Sequence, residues 1–235
     1  MRPFLTARWL DLLLVTWKVP DELLEPYLPH GLELDRHEGS ALVSLVAFDF
    51  RDTRVYGLPW PGFIDFPELN LRFYVRHQGR RGVVFIREYV PSAIVAQLAN
   101  LIYNEPYRSA KYTRAVDEHV LITGGRVHRI SARRSGDLYT PGSESIEHFI
   151  KEHELGFGTR RDGTPLCYRV HHPVWRVWPQ VDAQLDIDTA VLYGPQWGFL
   201  AKTPPFSVVA AEGSEIAVYP AEPLATSASA TARTG

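Results

Sequence analysis

A single cysteine and a single methionine occur among the 235 residues. One thiol, Cys167, excludes an intrachain disulfide and any zinc or iron–sulfur site built from several cysteines, so an intracellular setting is the expectation. An excess of either charge is missing too: 25 Lys plus Arg face 27 Asp plus Glu, for a formal net charge of -2. No basic block breaks that balance, which counts against nucleic acid as a partner. No run of eighteen apolar residues occurs, so a helical membrane span is not expected. Residues 1–20 place an arginine before an apolar stretch, as a signal peptide does. Trp9, Asp11, Trp17 and Lys18 interrupt that stretch and no small-residue cleavage site follows, so it reads as a strand and the chain as cytoplasmic. Lysine is rare as well, confined to positions 18, 111, 151 and 202, while arginine supplies the other 21 basic residues. Coding bias accounts for such a swap, yet it makes any lysine in a strand pattern conspicuous, because arginine can neither give up a proton nor form a Schiff base.

What is present is apolar, aromatic and heavily punctuated. Hydrophobic residues make up 45% of the chain, and 17 Gly and 18 Pro separate short runs rich in Val, Leu, Tyr, Phe and Trp. That pattern favours strands, and the length allows one domain over residues 1–220, followed by a low-complexity tail, 221–235, expected to be disordered. Strands are expected at Arg8 to Val19, Leu32 to Asp35, Ala41 to Phe50, Glu68 to Arg76, Val83 to Val90, Tyr107 to Val116, His119 to Ile122, Arg126 to Arg133, Leu166 to His172 and Phe206 to Tyr219. Leu32 to Asp35 and Ala41 to Phe50 read as a hairpin, and the apolar run of the second suggests burial on both faces. Short helices are expected after Val19, from Pro91 to Tyr103 with Ile94, Val95, Leu98, Leu101 and Ile102 on one face, and from Glu144 to His153 under a Ser143 cap. Arg51 to Pro67 reads as an ordered aromatic loop lying over something, and Gly156-Phe157-Gly158 as a turn. The fold class is α+β, mainly β, with a curved antiparallel sheet.

Three stretches could carry chemistry. Alternation from Glu68 to Arg76 puts Glu68, Asn70, Arg72, Tyr74 and Arg76 on one strand face. That face is either a solvated exterior or a polar lining in which Glu68 moves a proton and Arg72 forks a carboxylate. The stretch Tyr107-Arg108-Ser109-Ala110-Lys111 holds a lysine between arginines, a setting that lowers an amine pKa if it is buried. The adjacent His171 and His172 point to opposite strand faces, so at most one joins a given site. No metal motif, phosphate loop or nucleophile elbow occurs, and no cofactor is expected.

Taken together, Trp17 to Leu34, the strand Phe66-Pro67-Glu68-Leu69-Asn70-Leu71-Arg72-Phe73-Tyr74-Val75, Pro106-Tyr107-Arg108-Ser109-Ala110, Ser145-Ile146-Glu147-His148-Phe149 and His172-Pro173-Val174-Trp175 resemble a bacterial family of unknown function. That family lies within the acetoacetate decarboxylase-like superfamily, and the resemblance spans nearly all of residues 5–220. It implies a cone- or barrel-like curved antiparallel structure enclosing a ligand cavity. In acetoacetate decarboxylase a Pro-Lys-Lys-x-Ala motif supplies the Schiff-base amine. Here Pro106 and Ala110 match its ends, but Tyr107 and Arg108 replace the lysines, so the standard Schiff-base route is not implied. Glu68 matches the acidic residue of the cavity strand. Two readings follow. One is an enzyme acting on a small carboxylate or carbonyl compound, with Glu68, Tyr107 and Lys111 catalytic and Asn70, Arg72, Arg108, His172 and Trp175 holding the substrate. The other is a non-catalytic carrier or sensor for a small ligand. The exposed aromatic loops are compatible with a homo-oligomer.

Overall fold

A computed structural model describes residues 2–59, 63–102 and 106–224. Its main strands are β1 (Leu5–Val19), β2 (Ser40–Val55), β3 (Phe66–His77), β4 (Arg80–Val90), β5 (Tyr107–Ser109), β6 (Lys111–Ala115), β7 (Glu118–Thr123), β8 (Arg126–Ser135), β9 (Leu155–Thr159), β10 (Pro165–His171), β11 (Gln180–Asp186) and β12 (Ser207–Val218). Among the described residues three α-helices accompany them, α1 (Ala93–Ile102), α2 (Ile146–Lys151) and α3 (Thr189–Tyr193), and the helix expected after Val19 is a pair of 3-10 turns, Asp21–Leu23 and Glu25–Tyr27.

A large sheet runs β3-β2-β1-β12-β10-β9-β4-β5, and the hairpin β3–β4 joins its course back on itself; a second sheet runs β11-β8-β7-β6. Two pairings, β9 with β4 and β4 with β5, are parallel, so the large sheet is mixed and not purely antiparallel. The seams are short: only Val170 and His171 face β12, and only Gly156 and Phe157 face β4. The sheet is strongly curved, and with two seams this short its circuit is not an evenly closed barrel.

Each face of the large sheet is buried against something different. In β3, Leu69, Leu71, Phe73 and Val75 enter a core shared with Tyr112, Leu121, Ile130 and Ala132 of the second sheet. On the opposite face, Val46, Phe48, Phe50 and Phe66 belong to another apolar cluster, which surrounds a cavity. This two-sided burial explains why β2 is buried from Ala41 to Phe50, a stretch apolar apart from Ser44 and Asp49.

Several local expectations change. Glu33–Leu34 pairs with β3, and it is Arg36–His37 that turns back onto β2. Strand β2 continues to Val55 and folds over onto Leu58–Pro59, so much of the expected loop is a hairpin. Its Tyr56 and Phe63 do lie over the cavity, while Trp60, Pro61 and Gly62 are outside the described residues. Ser92 rather than Pro91 begins α1, accepting a hydrogen bond from the amide of Val95 through Oγ (3.4 Å). Ile94 is exposed; the side chains of Leu98, Leu101 and Ile102, and residues 103–105, are outside the described residues. Ser145, not Ser143, caps α2, accepting from the amide of His148 (3.2 Å). Glu222–Pro223 pairs with β10, so regular structure runs past residue 220, and 225–235 are outside the described residues.

The Gly156 segment is a strand, not a turn. Gly156 faces Tyr168 across β9 and β10, and a Cβ there would sit 2.1 Å from the ring Cζ. Glycine is needed so that the ring can lie flat over the backbone. Gly156→Ala is expected to cost about 1–2 kcal/mol through overpacking, seen as a lowered denaturant midpoint with an unchanged slope.

Candidate functional site

The polar face of β3 is an interior face. Glu68 and Asn70 are each 2% exposed and Arg72 is 9% exposed, and all three line the cavity of about 360 Å³. Most of the remaining wall is aromatic or aliphatic, including Trp9, Phe48, Phe50 and Phe66.

Strand register gathers the polar groups at one place. Asn70 faces Glu88 on β4, and Glu88 faces Tyr107 on β5. A β-bulge makes this possible. Leu71 pairs with Arg87 but Arg72 pairs with Phe85, leaving Ile86 as the extra residue. The extra residue flips the alternation of β4, so that Val83, Phe85 and Glu88 all point into the same cavity. Bulges commonly re-aim a side chain in this way. Tyr107 is held by its backbone: Asn100 of α1 donates to its carbonyl and accepts from its amide, each at 3.0 Å.

Glu68 is the centre of the arrangement. Its Oε1 accepts from Asn70 Nδ2 and its Oε2 from the Tyr107 hydroxyl, both at 3.0 Å. Burial drives its pKa up to about 7, against the lowering effect of hydrogen bonds from Asn70, Tyr107 and Glu88 and of the Arg72 charge. Two hydrogen-bonded carboxyls titrate as a unit and favour holding one proton between them.

Because the folded-state pKa lies above the unfolded value, folded Glu68 binds more protons than unfolded Glu68 between pH 4.5 and about 7. Its contribution is fully present below pH 4.5 and is lost as the pH rises through about 7, by at most about 3 kcal/mol. The stability of the wild type relative to Glu68→Gln is therefore expected to fall across that window in denaturation series at pH 5 and pH 8.

Arg72 and His153 form a second polar group. Arg72 Nη2 donates to the Ile150 carbonyl (3.0 Å), and Tyr74 donates to the same oxygen (3.2 Å). Ile150 lies in the last turn of α2, where carbonyls lack helical partners, so this pairing docks the helix on β3. His153 follows directly, lines the cavity, and has its pKa pushed well below the usual value by burial and by the charges of Arg72 and Arg81. Its ring is neutral, and neither ring nitrogen has a hydrogen-bond partner; Arg72 Nε and Asn70 Oδ1 also have none.

Glu68, Asn70, Arg72 and Tyr107 are thus brought together, while four other expected site residues are elsewhere. Lys111 and Arg108 are exposed and do not line the cavity. The chain breaks at Ala110, whose amide donates to Val90 O, and then passes into the second sheet. That break carries Lys111 away. His172 stacks on Trp175 (4.0 Å between ring centroids), and Trp175 donates to Ser214 Oγ (2.8 Å) behind Trp9. The pair braces the wall without reaching the cavity. None of the four lysines lines it: Lys18 and Lys202 are exposed, and Lys151 is buried in an ion pair with Glu152. Glu88 and His153 were not anticipated. Among the described residues no three His, Cys, Asp or Glu side chains group as a metal site, and no helix is long and apolar enough to cross a membrane.

The architecture is similar to that of the enduracididine biosynthesis enzyme MppR, solved in complex with pyruvate, with a TM-score of 0.66 at 14% identity over 96% of this chain and 91% of that one. It is also similar to acetoacetate decarboxylase from Legionella pneumophila, with a TM-score of 0.63 at 14% identity over 95% and 87% of the two chains. These likenesses establish an acetoacetate decarboxylase-like fold. In sequence the chain is 28% identical over 190 residues to the uncharacterized protein YqjF of Bacillus subtilis (strain 168), covering 77% of each. The model of the DUF2071 family, described as an uncharacterized conserved protein, matches residues 6–215, and the chain belongs to that family.

Proposed function

We propose that the cavity binds a small carboxylate or carbonyl compound and that Glu68 exchanges a proton with it, by acid–base chemistry that uses no Schiff base. The observation that carries this reading is the buried Glu68 carboxyl, hydrogen-bonded to Tyr107 and Glu88 in the cavity, where burial pushes its pKa up to about 7. A carboxyl with that pKa is present in both protonation states at neutral pH, the condition under which a general acid or base works best. The position that resembles a Schiff-base lysine holds Tyr107, whose phenol can donate a hydrogen bond but cannot condense with a carbonyl. MppR, of similar fold, has been solved with pyruvate, a 2-oxo acid, which suggests where a ligand search should begin.

The test is solvent deuterium exchange at the carbon next to the carbonyl in a panel of 2-oxo and 3-oxo acids, followed by proton NMR. Exchange catalysed by the wild type, rising as the pH passes through about 7, is the expected result. Borohydride added to the same mixtures is expected to leave every lysine unmodified in the mass spectrum. The largely apolar wall favours a second reading, a carrier that binds without turnover. A ligand retained in native mass spectra, with no exchange on any panel member, would select the carrier.

A further inference from the structure

The cavity is larger and more apolar than a three- or four-carbon oxo acid requires. Its volume of about 360 Å³ lies in the range of pockets that enclose drug-sized ligands, so it accommodates at least about a dozen non-hydrogen atoms. A small oxo acid has about half as many and would leave the aromatic vault of Trp9, Phe48, Phe50 and Phe66 uncovered. The polar end has its own unmet demand. Arg72 and His153 line that end of the cavity, and Arg72 Nε and the His153 ring nitrogens, though covered by protein, have no hydrogen-bond partner. Neutral imidazole carries one N–H, so the two side chains offer two free donors and one fixed positive charge. Buried donors left unmade are costly, and a ligand carboxylate beside Arg72 and His153 lowers that cost.

Building on the binding role assigned to the cavity above, we propose that its ligand is an amphipathic monocarboxylic acid of about ten carbons. Its carboxylate sits on Arg72 and His153 beside Glu68, and its alkyl chain or aryl ring fills the aromatic vault. The head group is fixed by the α2 docking contact that orients Arg72, and the tail length by the cavity walls.

Straight-chain carboxylates from butanoate to tetradecanoate, together with decanol and decylamine, distinguish the possibilities when binding to the wild-type protein is measured by calorimetry. Affinity is expected to rise about threefold to fourfold per methylene, to peak between octanoate and dodecanoate, and to fall for tetradecanoate. Decanoate is expected to bind at least tenfold more tightly than decanol or decylamine, and Arg72→Gln and His153→Phe to remove that preference. If either variant fails to fold, the comparison of head groups on the wild type decides alone. Equal binding of decanol, or tighter binding of decylamine, overturns the head-group assignment. Short oxo acids that bind and exchange deuterium, with no gain from longer chains, overturn the inference and leave the role of Glu68 intact. Absence of binding by every acid, short or long, together with absence of exchange, removes both.

Discussion

Glu68→Gln is expected to reduce solvent deuterium exchange into a bound oxo acid by at least about a hundredfold, the lower end of the usual contribution of a positioned acid or base. The amide keeps the shape of the carboxyl and can still accept from Tyr107, so ligand affinity should change by less than about tenfold. That separation matters, because a residue that only shaped the cavity would affect binding and exchange together. Tyr107→Phe removes the donor at 3.0 Å but leaves the acid. Its loss should be smaller, about tenfold, and should come with a shift in the pH profile, since the hydrogen bond from Tyr107 holds the Glu68 pKa down. Kinetics across pH 5 to 9 on both variants check the pair.

The largest expected structural effect lies away from the cavity wall, at Asp35. This carboxylate is 1% exposed and accepts from Arg76 Nε and Arg81 Nε, both at 2.5 Å. Its amide donates to the Tyr74 carbonyl, and Arg81 continues to the Phe149 carbonyl (3.0 Å) while lying over the Phe149 ring. The chain of contacts therefore runs from β3 and β4 to the end of α2, whose Ile150 carbonyl holds Arg72 and whose exit places His153. Asp35→Ala leaves two arginines without their counter-charge. Both retain some access to water, so a loss of about 3 kcal/mol is expected, the lower end of the range for breaking a buried pair. For a chain of this size that is a drop in Tm of about 6–12 °C. Asp35 is a positioning residue in this account, so ligand binding by the folded variant should weaken as well, and restoring the charge with Glu should recover part of it.

How much of this was legible in the sequence depended on the residue. The alternation of β3 is plain in Glu68-Leu69-Asn70-Leu71-Arg72-Phe73, but alternation is symmetric and does not say which face is inside. Both faces are buried here, because the second sheet covers the apolar one, and only the resemblance to a cavity-bearing superfamily pointed the polar one inward. Tyr107 was legible for the same reason, as the residue standing in a lysine position. Glu88 was not, because unbroken alternation places it with Val84 and Ile86 on the apolar core face; the bulge at Ile86 reverses that, and bulges leave little trace in a single sequence. His153 carries no local pattern at all, and its place depends on carbonyl contacts made by residues far away in the chain. Lys111 failed for a definite reason: the strand read as continuous from Tyr107 to Val116 is split at Ala110 between two sheets. The rarity of lysine proved informative in the opposite sense to that expected, since the cavity contains none.

A buried carboxyl in a cavity without lysine is proposed here to give and take a proton near neutrality. The most direct test is a carbon-13 NMR titration of the Glu68 carboxyl in labelled protein, assigned by the signal lost in Glu68→Gln. A midpoint at about pH 7 is the expected result. A carboxyl that titrates below pH 5, as an exposed glutamate does, would contradict it.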